Sequence, residues 1–238
     1  WAADRNLAEE QSLSARYLPR EAIGYQDLDQ HGEWTSDAQY GSVWIPRVTV
    51  VDWAPYRYGQ WRWIAPWGWT WIDDAPWGFA PFHYGRWVQL GPRWAWAPGP
   101  LGRRPAWAPA LVGFEGPPLP RPGFGRPQHP GVPWFPLAPG EAWRPPFAGS
   151  PRYLDRVNRG LPPPPPRFFY QGRPQAISSA PQRDPRWQDR EHWRGRDERA
   201  GRPAMPAPSF TPPGPQPSFG PAGPGPSFRP PPGGPRFG

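Results

Sequence analysis

Histidines, paired acids and a large set of tryptophans are the side chains here whose types could support chemistry. His31, His83, His129 and His192 stand apart, none within three to five residues of another, so no local zinc pattern exists. His83 fills the slot that Arg57 occupies one repeat earlier, and reads as a polar strand residue rather than a ligand or base. Asp27-Leu28-Asp29-Gln30-His31-Gly32 opens like a calcium loop. Its fifth position is His31 and its twelfth is Ala38, where chelation needs a bidentate Glu, so it reads as an acidic turn before a strand. Asp73-Asp74 is a carboxylate pair, but neighbours in a strand point to opposite faces, which favours a turn or capping role. With no Cys, thiolate nucleophiles, disulfides and Cys-ligated metals are excluded. No Gly-x-Ser-x-Gly or phosphate-cradling glycine loop occurs. No catalytic residue, metal or cofactor is expected, and the sequence reads as a non-enzyme.

The tryptophans remain. Gly32-Glu33-Trp34, Gly59-Gln60-Trp61 and Gly85-Arg86-Trp87 recur at spacings of 27 and 26 residues. Trp53-Ala54-Pro55-Tyr56-Arg57-Tyr58-Gly59 matches Phe79-Ala80-Pro81-Phe82-His83-Tyr84-Gly85, with a weaker copy at Trp107-Ala108-Pro109-Ala110-Leu111-Val112-Gly113. The far ends match as well: Val43-Trp44-Ile45-Pro46, Thr70-Trp71-Ile72 and Ala95-Trp96-Ala97-Pro98. Three aligned blocks per unit indicate internal duplication.

Each unit predicts a β-hairpin. In residues 60–64 and 68–72, Trp alternates with other residues at the period of a half-buried strand. Ala65-Pro66-Trp67-Gly68 suits the turn between them, as do Tyr40-Gly41 and Gly91-Pro92 in the flanking units. One hairpin alone is marginal, but three sharing an aromatic face can close a small sheet or barrel-like all-β domain. Strand tryptophans are therefore expected in the core. Trp67 and Trp77, placed at turns, are the candidates for outward-facing, sugar-stacking platforms, with Tyr84 beside them.

Residues 40–47, 53–59, 67–74 and 76–87 resemble a family of Trp-rich bacterial exported proteins of unknown function, often described as FecR-like or proline-rich exported proteins. The likeness continues through Pro-Ala-Leu-Val (109–112), Trp-Phe-Pro-Leu-Ala-Pro-Gly-Glu (134–141) and Arg-Tyr-Leu-Asp-Arg-Val-Asn (152–158), roughly residues 15–160 in all. It implies a signal peptide, an upstream β-rich domain and a periplasmic or envelope location. It implies no catalytic residue.

Composition divides the 238 residues. Residues 1–24 read as a short helical lead-in, from Trp1 to about Arg16, with Pro19 as a stop. Because the chain opens on Trp1 rather than Met, this segment is expected to be the end of an upstream region. Residues 25–120 form the Trp-rich β-repeat domain, and 121–160 a Pro-rich extension packing on it. From 161 to 238 a disordered tail is expected: the Pro162–Pro166 run, then Phe210, Phe219, Phe228 and Phe237 on a nine-residue beat. The net charge of +8 arises in the C-terminal half, and every basic residue is Arg. That invites a nucleic-acid reading, but Arg-Gly pairs are sparse and acids at 184–198 dilute the charge, so nucleic acid is the weakest partner. No apolar run of about 18 residues is present. The leading functional expectation is an envelope binding module, with a cell-wall glycan as ligand through Trp67, Trp77 and Tyr84. The alternative is a structural or regulatory scaffold contacting another envelope protein, its tryptophans purely core.

Overall fold

A computed structural model of the chain describes residues 12–120 and 128–184. The repeats fold as three antiparallel hairpins: β1 (Gly32–Asp37) with β2 (Gly41–Pro46), β3 (Gly59–Ile64) with β4 (Gly68–Asp73), and β5 (Arg86–Leu90) with β6 (Arg93–Ala97). Gly41, Gly68 and Gly91 close the turns with φ of +72°, +76° and +58°, the region that excludes most other residues. A short pair, β7 (Val112–Phe114) with β8 (Trp134–Pro136), follows. The first and third hairpins join edge to edge, in the order β1-β2-β6-β5, while β3-β4 and β7-β8 stay separate two-stranded sheets. No sheet closes into a barrel among the described residues.

The register explains why the repeat keeps three blocks. Each hairpin sets a Trp from its first block directly opposite a Trp from its last: Trp34 against Trp44, Trp61 against Trp71, and Trp87 against Trp96. Trp44 also faces Trp96 across the seam, so one row of four indoles runs over the four-stranded sheet. These rings, with Trp61 and Trp71 of the second hairpin, share one core with Tyr56, Phe82 and Trp134. Trp61 meets Trp71 and Trp134 edge-on, at centroid distances of 5.3 and 5.4 Å. Such pairs add about 0.5–1.5 kcal/mol each beyond the burial itself. The opposite face of the large sheet buries Val43, Ile45, Val88, Ala95 and Ala97.

The repeated glycine has a packing role. At Gly32, Gly59 and Gly85 the indole of the partner-strand Trp lies where a Cβ would stand: beside Trp44, 2.6 Å from Trp71 Cζ2 and 2.6 Å from Trp96 Nε1. Gly113 repeats this with Phe135 at 2.5 Å, which marks β7-β8 as a degenerate fourth unit.

The duplicated block before each hairpin does not keep one conformation. Residues 79–83 form α1 (Phe79–His83), whose Pro81 falls in the first turn, where no N–H is needed. The matching residues 53–57 form turns instead, with Tyr56 at φ +60°. His83 is therefore helical and buried, not a strand residue as expected. A second helix, α2 (Pro151–Val157), starts at Ser150, whose Oγ accepts from Tyr153 N, with Pro at its first position.

Two boundaries shift. The expected N-terminal helix appears only as a 3-10 turn, Leu13–Arg16, and its earlier residues lie outside those described. The tail expected from residue 161 is packed as far as Asp184. Tyr170 is buried against Trp94, Ser178 exchanges two backbone hydrogen bonds with Trp134, and Gln182 N donates to Arg57 O. Proline content alone gave no sign of these anchors. Residues 185–238, with the spaced Phe motif, lie outside the described residues. No described helix is long and apolar enough to cross a membrane.

Candidate functional site

Trp67, Trp77 and Tyr84 are not assembled into one surface. Trp77 follows β4 in a turn, but α1 folds it inward. It is 3% exposed, stacks with Phe82 at 5.9 Å and meets Trp44 edge-on at 5.0 Å. Tyr84 is 3% exposed and its hydroxyl is hydrogen-bonded to the Ile23 backbone; burial pushes it up to about 12. Trp67 is half-buried in a different aromatic group, against Trp107, Phe147 and Tyr153. Its Nε1 has no hydrogen-bond partner among the described residues. Every described Trp is buried or half-buried, so the turn tryptophans do not stand out as platforms. A turn position fixes where a residue falls along the chain, not which side of the fold it meets.

The polar candidates resolve into structural roles. Asp73 Oδ1 accepts from Ala75 N at 3.0 Å and Oδ2 from Trp71 Nε1 at 3.0 Å, which is the expected turn cap. Desolvation pushes its carboxyl up to about 8. Asp74 accepts from Asp184 N at 3.0 Å and lies 3.4 Å from Arg183 Nε, tying the end of the described chain to β4. Asp29 of the calcium-like stretch takes Leu13 N, Ser14 N and Ser14 Oγ, and so fastens the lead-in turn. No group of three or more potential metal ligands occurs among the described residues. His83 stacks on Trp107 at 5.0 Å and its Nδ1 lies 2.7 Å from Ala108 O; burial pulls it down to about 4, so it is neutral at pH 7.

Two polar centres escaped the sequence reading. Tyr56, fully buried, donates its hydroxyl to Phe82 O at 3.0 Å and accepts from Leu111 N at 3.1 Å, while its own carbonyl accepts from Trp134 Nε1 at 2.7 Å. One side chain thus links all three copies of the duplicated block. The second centre is Arg86, 7% exposed. It donates to Glu141 O at 2.8 Å, Gly85 O at 2.8 Å and Asn158 Oδ1 at 3.1 Å. Asn158 in turn pairs with the Trp143 backbone through N–H and C=O. Burial lowers Arg86 to about 10, within the range where it stays charged at neutral pH. The variable middle residue of Gly-x-Trp, here Arg where the other copies carry Glu33 and Gln60, was the available signal.

Fold and polar centres together define an antiparallel hairpin protein organised around a tryptophan core. Residues 25–141 match a protein family of unknown function, DUF6600, a span that starts at the turn before β1 and ends at the Glu141 contact of Arg86. No curated protein and no solved structure matches the chain.

Proposed function

We propose that this protein is a non-enzymatic interaction scaffold of the bacterial cell envelope, in which the tryptophans build a rigid β-domain and the polar surface makes the contacts. The observation that carries this reading is the burial of the aromatic set: Trp44, Trp61, Trp71, Trp87, Trp96, Trp134 and Trp143 are all under 2% exposed. The envelope location and a link to FecR-like regulation rest on the resemblance of residues 15–160, which implies export. Glycan binding through Trp67, Trp77 and Tyr84 is the weaker reading, because two of the three side chains have almost no accessible ring. Nucleic-acid binding through the Arg-rich C-terminal residues is weaker still, since their charge is diluted by acids.

The test is acrylamide quenching of tryptophan fluorescence in the full chain, with and without soluble peptidoglycan fragments. A scaffold gives a blue-shifted, largely protected emission that the fragments leave unchanged. A quenchable population that the fragments protect, and that Trp67→Ala abolishes, would replace the scaffold reading with a glycan-binding module.

A further inference from the structure

A cleft of about 220 Å³ opens beside the start of β5, between the loop after β6 and the C-terminal end of α2. Arg86, Arg104, Arg156 and Arg159 line it, and no Asp or Glu does. Four guanidinium groups lining one cleft give it a positive field that an anion would neutralise. Arg86 is held in place by its three hydrogen bonds, all to uncharged acceptors. Glu141, whose charge acts on Arg86, has its carboxylate engaged elsewhere. Its oxygens accept from Ala138 N at 2.8 Å and Phe169 N at 2.6 Å, and it lines a neighbouring cleft instead. Arg159 is admitted by a glycine: its Cζ lies 3.1 Å from where a Cβ at Gly102 would stand. Arg104, Arg156 and Arg159 make no salt bridge with a described carboxylate. Guanidinium groups present paired N–H donors that match the oxygens of phosphate and carboxylate, which makes such a cluster selective for oxyanions.

We propose that this cleft binds a compact, multiply charged oxyanion, a phosphate ester or a polycarboxylate, on the scaffold described above. The fixed Arg86 forms its floor and the exposed Arg104, Arg156 and Arg159 close on the ligand. The site uses none of the tryptophans and does not depend on the cellular location.

The experiment is isothermal titration of the full chain with inorganic pyrophosphate and, separately, with citrate. Saturable binding of at least one is expected, weakening as ionic strength rises. Residues 185–238 carry further arginines, so the variants decide where the anion sits. Arg104→Gln combined with Arg156→Gln, both at exposed positions, should weaken binding by about tenfold or more, since each removes a charge-assisted pair of donors from the anion. Arg159→Gln, made separately, should weaken it as well, and Arg62→Gln on β3 should not. Pyrophosphate binding alone assigns phosphate esters, and citrate binding alone assigns carboxylates. Absence of saturable binding for both probes, or binding unchanged in the Arg104/Arg156 and Arg159 variants, overturns the proposal.

Discussion

Replacing Gly32 by alanine should destabilise the protein, against the usual benefit of removing a glycine from a strand. Gly→Ala in extended backbone normally gains about 0.5–1 kcal/mol, because the unfolded chain loses less freedom on folding. Gly32 has no positive φ to forbid the change, so only its neighbours can oppose it. The new Cβ would stand inside contact distance of three Trp44 indole atoms, 2.5 Å from Nε1. Trp44 cannot swing aside: it is fully buried, its Nε1 donates to Leu28 O at 3.2 Å, and Trp77 meets it edge-on. Overpacking of this kind costs about 1–3 kcal/mol. For a folded region of this size that lowers Tm by about 2–4 °C per kcal/mol. The decisive assay is a double-mutant cycle by thermal or urea unfolding with Trp44→Phe, whose smaller ring leaves room for the methyl. The cycle should show a coupling of about 0.5 kcal/mol or more. Gly41→Ala serves as control: at φ +72° with nothing within 4 Å, its penalty comes from the backbone and should be indifferent to Trp44. A neutral or stabilising Gly32→Ala, or costs that simply add, would refute the idea that the repeat keeps its glycine for the partner indole.

Other consequences follow from the same contacts. His83 has a folded pKa of about 4 against 6.5 unfolded, so the unfolded chain takes up the proton first as pH falls. The His83 contribution should fall by about 3 kcal/mol between about pH 6.5 and 4, at 1.36 kcal/mol per pKa unit, while Asp73, whose carboxyl is pushed up to about 8, changes stability in the opposite sense over the same range. The difference in urea midpoint between the native chain and His83→Gln at the two pH values isolates it, and a difference independent of pH would refute it. Tyr56→Phe removes the partner of the buried Leu111 N–H and should cost about 1–3 kcal/mol with little change in shape. Truncation after Gly160 deletes Tyr170, Ser178 and Gln182 and should give a lower unfolding midpoint than truncation after Asp184. Equal stability of the two truncations would deny residues 161–184 their place in the fold.

Much of this fold was legible before any coordinates, and the reason is local. Alternating Trp and turn-compatible Gly-Pro pairs encode a hairpin within some fifteen residues, and the Gly-x-Trp beat locates its start. What sequence pattern does not carry is how hairpins meet. The seam of Trp44 with Trp96 and the inward turn of Trp77 depend on residues far apart in the chain. The segments 53–59 and 79–85 make the same point, since near-identical residues form a turn in one place and α1 in the other. Proline content likewise described Leu161 to Asp184 as tail-like, while Tyr170 and Ser178 fasten it through contacts no composition records. Arg86 was hidden for a related reason: its partners, Glu141 and Asn158, lie 55 and 72 residues away.

The most direct test of the tryptophan core is hydrogen exchange at the indole Nε1–H groups, followed by NMR on chain labelled at Trp. Trp44, Trp87, Trp96 and Trp134 donate to buried carbonyls of Leu28, Pro81, Tyr84 and Tyr56, and their signals should persist long after exposed amides have exchanged. Rapid exchange of these four indoles under native conditions would contradict the account, because it would place in solvent the side chains on which the whole fold is built.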